Sequence, residues 1–203
     1  MINIHQHLLT RPTFVEINTS KIRHNFNEVK KQLQGQKLLC VVKGNAYGHG
    51  SIIMSQLFQE LGADYLAVAI PEEGVELRMN GITIPILVLS SISDKQIQVC
   101  IDYDLSITAP SDEKLILIDK VAQESKKIAK IHLKVDTGMG RIGVHYSRVE
   151  KFFPVMKDCT HCHFEGLYSH LAFSDEDTQM NQLQIERFSN VVDKFKEAGF
   201  SFP

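Results

Sequence analysis

No block of one charge, no sustained apolar segment and no second C-x-x-C pair occur in this 203-residue chain, and each absence closes off a class of function. Lys and Arg number 22 against 24 Asp and Glu, a net charge of -2 with the two signs interspersed. Such a chain has no electrostatic footprint for nucleic acid, so a small-molecule partner is expected. With 43% apolar and 23% charged residues it sits near the average for globular domains, which favours neither disorder nor a membrane span. The residues Met1 to Leu9 lack a cationic region followed by an apolar stretch, so no secretory signal and a cytoplasmic setting are expected. No linker, repeat or low-complexity segment divides the sequence.

The chain has four cysteines, two of them in Cys159-Thr160-His161-Cys162-His163. This string satisfies the C-x-x-C-H pattern for covalent haem attachment and forms half of a zinc site. Haem attachment normally requires export, and a structural zinc site ordinarily takes four ligands. The expectation is reduced thiols at the start of a buried strand and no metal, with Cys40 and Cys100 as small core residues.

What is present is a strand and helix alternation. Residues 20–34 place Ile22, Phe26, Val29 and Leu33 on one helical face, with Ser20 as N-cap and Gly35 as the stop. Short apolar runs follow at 38–42, 65–69, 85–89, 105–108, 131–135 and 164–168. Segments of helical length and pattern lie between and after them, at 51–61, 71–80, 94–102, 111–127, 147–157 and 178–198. Continuously apolar strands are those of a parallel sheet covered on both faces, either doubly wound or a (β/α)₈ barrel. No Gly-x-Gly-x-x-Gly follows the first strand, which weakens a dinucleotide-binding reading.

Three strings at strand ends carry chemistry. In Lys43-Gly44-Asn45-Ala46-Tyr47-Gly48-His49-Gly50 a lysine ends an apolar run and glycines open what reads as a helix. A lysine at the mouth of a strand can be partly desolvated, which suits it to attack an aldehyde cofactor. The glycines let backbone approach a cofactor phosphate, and the Tyr47 hydroxyl can reach the same group. A plain strand-to-helix turn with a solvated lysine is the alternative. In Lys134-Val135-Asp136-Thr137-Gly138-Met139-Gly140-Arg141-Ile142-Gly143 a turn of small residues presents an arginine, whose planar fork suits a carboxylate or phenolic oxygen, or is merely solvated. Lys134 could simply cap a strand. Glu165-Gly166-Leu167-Tyr168-Ser169-His170-Leu171-Ala172 brings a histidine to a third strand end, where a structural, hydrogen-bonded residue is the alternative. Ser174 to Thr178 read as helix capping, and His5, His7 and His24 as surface residues.

Together these strings closely resemble the alanine racemases, a fold-type III family. The resemblance implies a parallel (β/α)₈ TIM-type barrel, here incomplete at about six units since a full barrel takes about 250 residues, so that residues 1–203 form a partial cofactor-binding barrel and a C-terminal β domain lies beyond them. It implies pyridoxal 5′-phosphate held by Lys43, with Tyr47 on the phosphate, Arg141 on the cofactor oxygen and substrate carboxylate, and His170 beneath the ring. It gives Lys134 a supporting role, often as a carbamate that orients the arginine. Lys43, Arg141 and His170 are the expected catalytic set, and the second base is a tyrosine from the β domain of a neighbouring subunit. The expected activity is conversion of L-alanine to D-alanine for cell-wall peptidoglycan by a homodimer, with this chain alone weak or inactive. A non-catalytic cofactor-binding module, a complementing half, or a broad-specificity amino-acid racemase are the alternatives.

Overall fold

A computed structural model describes residues 13–176 and 178–202, so His5 and His7 lie outside the described residues. The described chain falls into two compact units that divide between Gln36 and Lys37. The first contains α1 (Thr19–Gln32), whose N-cap is Asn18 and not the expected Ser20: the Asn18 side chain accepts from the Lys21 amide at 3.0 Å. Ser20 instead lies within the helix. Of the expected apolar face Phe26 is buried while Val29 is exposed, and the helix ends before Gly35, with Leu33 as C-cap.

The second unit is built on β1 (Leu39–Val41), β2 (Tyr65–Val68), β3 (Ile86–Val88), β4 (Ser106–Ala109), β5 (Ala129–Asp136), β6 (Val144–His145) and β7 (Cys162–Tyr168). β1 to β5 are hydrogen-bonded neighbours in chain order, and β7 pairs with β5, every pairing parallel. The two-residue β6 pairs only with the end of β5, Val135 opposite Val144, and is too short to be read from a pattern. Leu66, Ile86, Ile107 and Ile131 are fully buried, as strands covered on both faces require. β1 and β7 stand at the edges of this arc and are only partly covered. The sheet is an incomplete α/β barrel.

Helices α3 (Ser51–Glu60), α4 (Pro71–Met79), α5 (Asp94–Asp102) and α6 (Asp112–Glu124) connect successive strands, close to the expected segments. Side-chain caps set several starts: Ser111 Oγ accepts from the Lys114 amide at 3.2 Å, and Thr178 Oγ1 from the Asn181 amide at 3.2 Å at the head of α8 (Gln179–Glu197). The single helix expected at 147–157 is a 3₁₀ segment at Tyr146–Lys151 running into α7 (Phe152–Asp158). Arg148 leaves helical geometry at φ -125°, and Pro154 falls in the first turn of α7, where its missing N–H costs nothing. Cys100 is buried as expected, whereas Cys40, on edge strand β1, is only half-buried.

Burial on α6 sets a direct stability contrast, because Ile118 is fully buried and Ile116 is 54% exposed. Ile118→Ala is expected to cost about 2–5 kcal/mol in denaturant unfolding, and Ile116→Ala about 0.5 kcal/mol or less.

Candidate active site

β1 delivers Lys43 to the carboxyl rim of the sheet, where the Val42 amide still donates to the Ala67 carbonyl at 2.8 Å. The chain then departs from the expected helix. α2 (Lys43–Tyr47) is a single left-handed turn, with φ of 60° at Gly44, 56° at Asn45, 50° at Ala46 and 54° at Tyr47. Only glycine adopts this hand freely; each of the other residues costs about 1–2 kcal/mol. Side chains hold the turn in place. Glu73, from α4, accepts from the Gly44 amide at 2.7 Å through one oxygen and from the Ala69 amide at 2.7 Å through the other. Asn45 Oδ1 accepts from the Ser51 amide at 2.9 Å, fixing the start of α3. Lys43 is half-buried and Tyr47 is 65% exposed, and both face the same cavity.

The loop after β5 wraps on Asp136, whose Oδ1 accepts from the Gly138 amide at 2.9 Å and the Gly140 amide at 3.1 Å. Gly143 is required by both conformation and space: its φ is 116°, and a Cβ there would lie 2.8 Å from the Lys134 carbonyl. Lys134 is no solvated strand cap. Its residue is 4% exposed, its Nζ sits 4.1 Å from the centroid of the Tyr168 ring, and burial with the charge of Arg141 lowers its pKa to about 8.

β7 and the segment beyond it supply Tyr168 and His170. Thr108 Oγ1 donates to the Val88 carbonyl at 2.6 Å, so it accepts from the Tyr168 hydroxyl 2.7 Å away, and that phenol is tied down as a donor. Burial pushes the Tyr168 pKa up to about 12. Gln184 of α8, fully buried, donates to the His170 carbonyl at 3.0 Å and to Thr137 Oγ1 at 3.1 Å, and so clamps the β5 and β7 loops together. Gly166 is dictated by His132 on the neighbouring strand, whose Nδ1 would lie 2.6 Å from an added Cβ.

Lys134, Arg141 and His170 line one crevice, while Lys43, Tyr47, Tyr168 and His170 line an adjoining cavity of about 660 Å³. The five residues singled out from sequence therefore meet at one rim. Partial burial, then the charges of Arg141, Lys134 and Lys43, hold the His170 pKa below the ordinary histidine range, so its ring is neutral near pH 7. Among the described residues no carboxylate forms a salt bridge with Lys43, Lys134 or Arg141. Lys43, Lys134 and Arg141 surround a neutral imidazole, with the Asp136 carboxylate acting on Lys134, and the balance of charge suits an anion. Glu73 and Gln184 were missed in the sequence because each acts from a helix far along the chain, with no local signature beyond its type.

The family model described as the alanine racemase N-terminal domain matches residues 17–203. The chain belongs to the alanine racemase family. The alanine racemase of Citrifermentans bemidjiense is 42% identical over 199 residues, covering 95% of this chain and 52% of that protein. That of Halothermothrix orenii is 39% identical, covering 96% of this chain and 52% of its own length. The solved alanine racemase of Clostridium difficile 630 superposes with a TM-score of 0.89 at 35% identity over 94% of this chain and 51% of that one. A structure described as its complex with cycloserine gives 0.91 at 35% identity over 95% and 54%. The chain thus spans about half the length of the curated relatives it matches. Among the described residues no helix is long and apolar enough to cross a membrane.

His170 should titrate below an ordinary histidine when followed by NMR, and Arg141→Gln, which removes one of the three cations around it, should move its midpoint upward. A midpoint unmoved by the substitution would remove Arg141 from the cluster.

Proposed function

We propose that this chain forms the pyridoxal-phosphate-binding barrel of a racemase that interconverts L-alanine and D-alanine. The observation that carries the reading is the convergence of Lys43, Lys134 and Arg141 on one rim without salt-bridged carboxylates, around His170. The cofactor and the amino acid both bring anionic oxygens, so this donor set fits them. Pyridoxal phosphate, when bound, supplies the electron sink that makes an amino acid's Cα proton removable.

The protein's own residues divide the remaining work. Lys43 Nζ holds the cofactor and carries the Cα proton on one face. The left-handed turn fixes that amine's backbone, and the Tyr47 hydroxyl, exposed to the same cavity, donates to phosphate. Arg141 binds the substrate carboxylate and cofactor oxygen with its planar fork. His170, neutral, supports the ring without adding a further positive charge. Lys134, with its pKa lowered to about 8, has a larger uncharged fraction than a free lysine, and the uncharged amine adds to carbon dioxide. That addition releases a proton and makes the Lys134 position an anion that would hold Arg141, leaving Lys43 and Arg141 as the cations that meet the ligand's oxygens.

Inversion needs a second proton carrier on the opposite face, and by family resemblance that is a tyrosine of the C-terminal β domain of a partner subunit. The full-length protein is then a cytoplasmic homodimer acting on free alanine and supplying D-alanine for peptidoglycan, while this chain by itself binds cofactor and turns over poorly.

In a protein that includes the β domain, Lys43→Ala should abolish racemisation of L-alanine, and Arg141→Lys should lower kcat/KM about 10–100-fold through loss of bidentate binding. Full activity in Lys43→Ala would overturn the reading, and robust turnover by the 203-residue chain alone would refute the need for a second carrier. Intact-mass measurement under bicarbonate should show a carboxyl adduct that Lys134→Arg removes.

A further inference from the structure

We propose that Cys159, Cys162 and Asp119 form a site for a divalent ion of the zinc class, at the end of the sheet opposite Lys43. Cys162 opens β7 while His170 follows its far end, so the two sites sit at opposite rims. The sequence offers the cysteines only as half a site. The fold adds Asp119 from α6, and one ligand atom from each of the three residues lies within 4.8 Å of the others. Zinc bonds of about 2.3 Å to sulfur and 2.0–2.2 Å to oxygen place tetrahedral donors roughly 3.6–3.8 Å apart. Small side-chain rotations close the remaining gap.

The backbone around the three donors is already fixed. Asp119 Oδ1 accepts from the His161 amide at 2.7 Å, and its carboxylate also accepts from the Cys162 thiol, whose proton an ion would displace. The His161 carbonyl accepts from the Ala129 amide at 2.9 Å, anchoring the C-x-x-C loop to β5. The Cys159 amide donates to the Val155 carbonyl at 2.9 Å, so that residue is held at the end of α7. Such supporting bonds orient metal ligands before the ion arrives.

The same placement argues against a redox pair. A reactive C-x-x-C needs a thiolate stabilised by a helix N-terminus or a nearby cation. Cys159 lies instead at the C-terminal end of α7, where carbonyl groups leave partial negative charge, and the neighbouring side-chain charges are those of Asp119 and Asp158. What this arrangement can accept is a cation. Binding forms two metal–sulfur bonds and one metal–oxygen bond, releases the two thiol protons to solvent and changes no oxidation state. A fourth coordination position falls to a solvent oxygen. The ion would join α6 to the α7–β7 connection, far from Lys43, as an open site with three protein ligands, unlike the closed four-ligand structural kind.

The test uses the full chain, stripped with chelator and kept under reductant, with Co²⁺ as probe and Zn²⁺ as competitor. The expected result is a thiolate-to-cobalt charge-transfer band that saturates at about one ion per chain, is displaced by Zn²⁺, and is accompanied by a higher Tm. Cys162→Ser should abolish the band, Asp119→Asn should weaken affinity at least about tenfold, and Cys40→Ser, outside the cluster, should change neither. Far-ultraviolet circular dichroism of the metal-free variants checks that each still folds; if Cys162→Ser does not, Asp119→Asn decides. A band that survives Cys162→Ser, an affinity indifferent to Asp119→Asn, or a Cys159–Cys162 disulfide in protein purified anaerobically without reductant would each overturn the proposal.

Discussion

A sheet in which every strand runs the same way has all its carboxyl ends on one rim, and the candidate active site follows from that constraint. Lys43 leaves β1, Lys134 lies near the end of β5 with Arg141 in the loop beyond it, and His170 follows β7. Lys134 and Arg141 share one stretch, but Lys43, that stretch and His170 are far from one another in sequence. Parallel pairing across β1 to β5 and on to β7 brings them together without any long loop crossing the rim. The opposite rim then gathers the strand starts, which is how Cys159 and Cys162 come to lie against Asp119.

Holding Lys134 buried and Lys43 half-buried close to the exposed Arg141 costs free energy, and so does the backbone conformation that places Lys43. The left-handed turn carries three residues other than glycine at roughly 1–2 kcal/mol each. Hydrogen bonds to a charged group contribute about 1.5–3 kcal/mol each, and Glu73 accepts several from this turn and the β2 end. Strain of this sort persists where surrounding structure over-determines it, and it concentrates at functional sites. Its use here is to aim Lys43 and Tyr47 at one cavity. Gln184 does the same for the other two loops, reaching Thr137 and the His170 carbonyl at once.

β2 to β5 were legible because burial on both faces leaves continuous apolar runs, β1 and β7 as apolar runs although only partly covered, and α5 and α6 by their apolar spacing. β6 was not, since Val144–His145 is too short to carry a pattern. Local propensity favoured Ser20 as a cap, yet Asn18 has the geometry, and the hand of the Lys43 turn is invisible where Asn45, Ala46 and Tyr47 are ordinary residues. The site's lysine, arginine and histidine were legible as types at strand ends. What required the fold was the set of distant partners: Glu73 and Gln184 at the rim, Asp119 beneath the cysteines, and the burial that separates Lys134 from a solvated lysine.

The central claim is that this rim, through Lys43, is the seat of pyridoxal phosphate. Incubation of the chain with limiting pyridoxal phosphate, reduction with borohydride, proteolysis and peptide mass mapping would locate the attachment directly. The account predicts a pyridoxyl group on the peptide containing Lys43 and on no other at substoichiometric cofactor. A label spread over exposed lysines, or concentrated on Lys134, would contradict it.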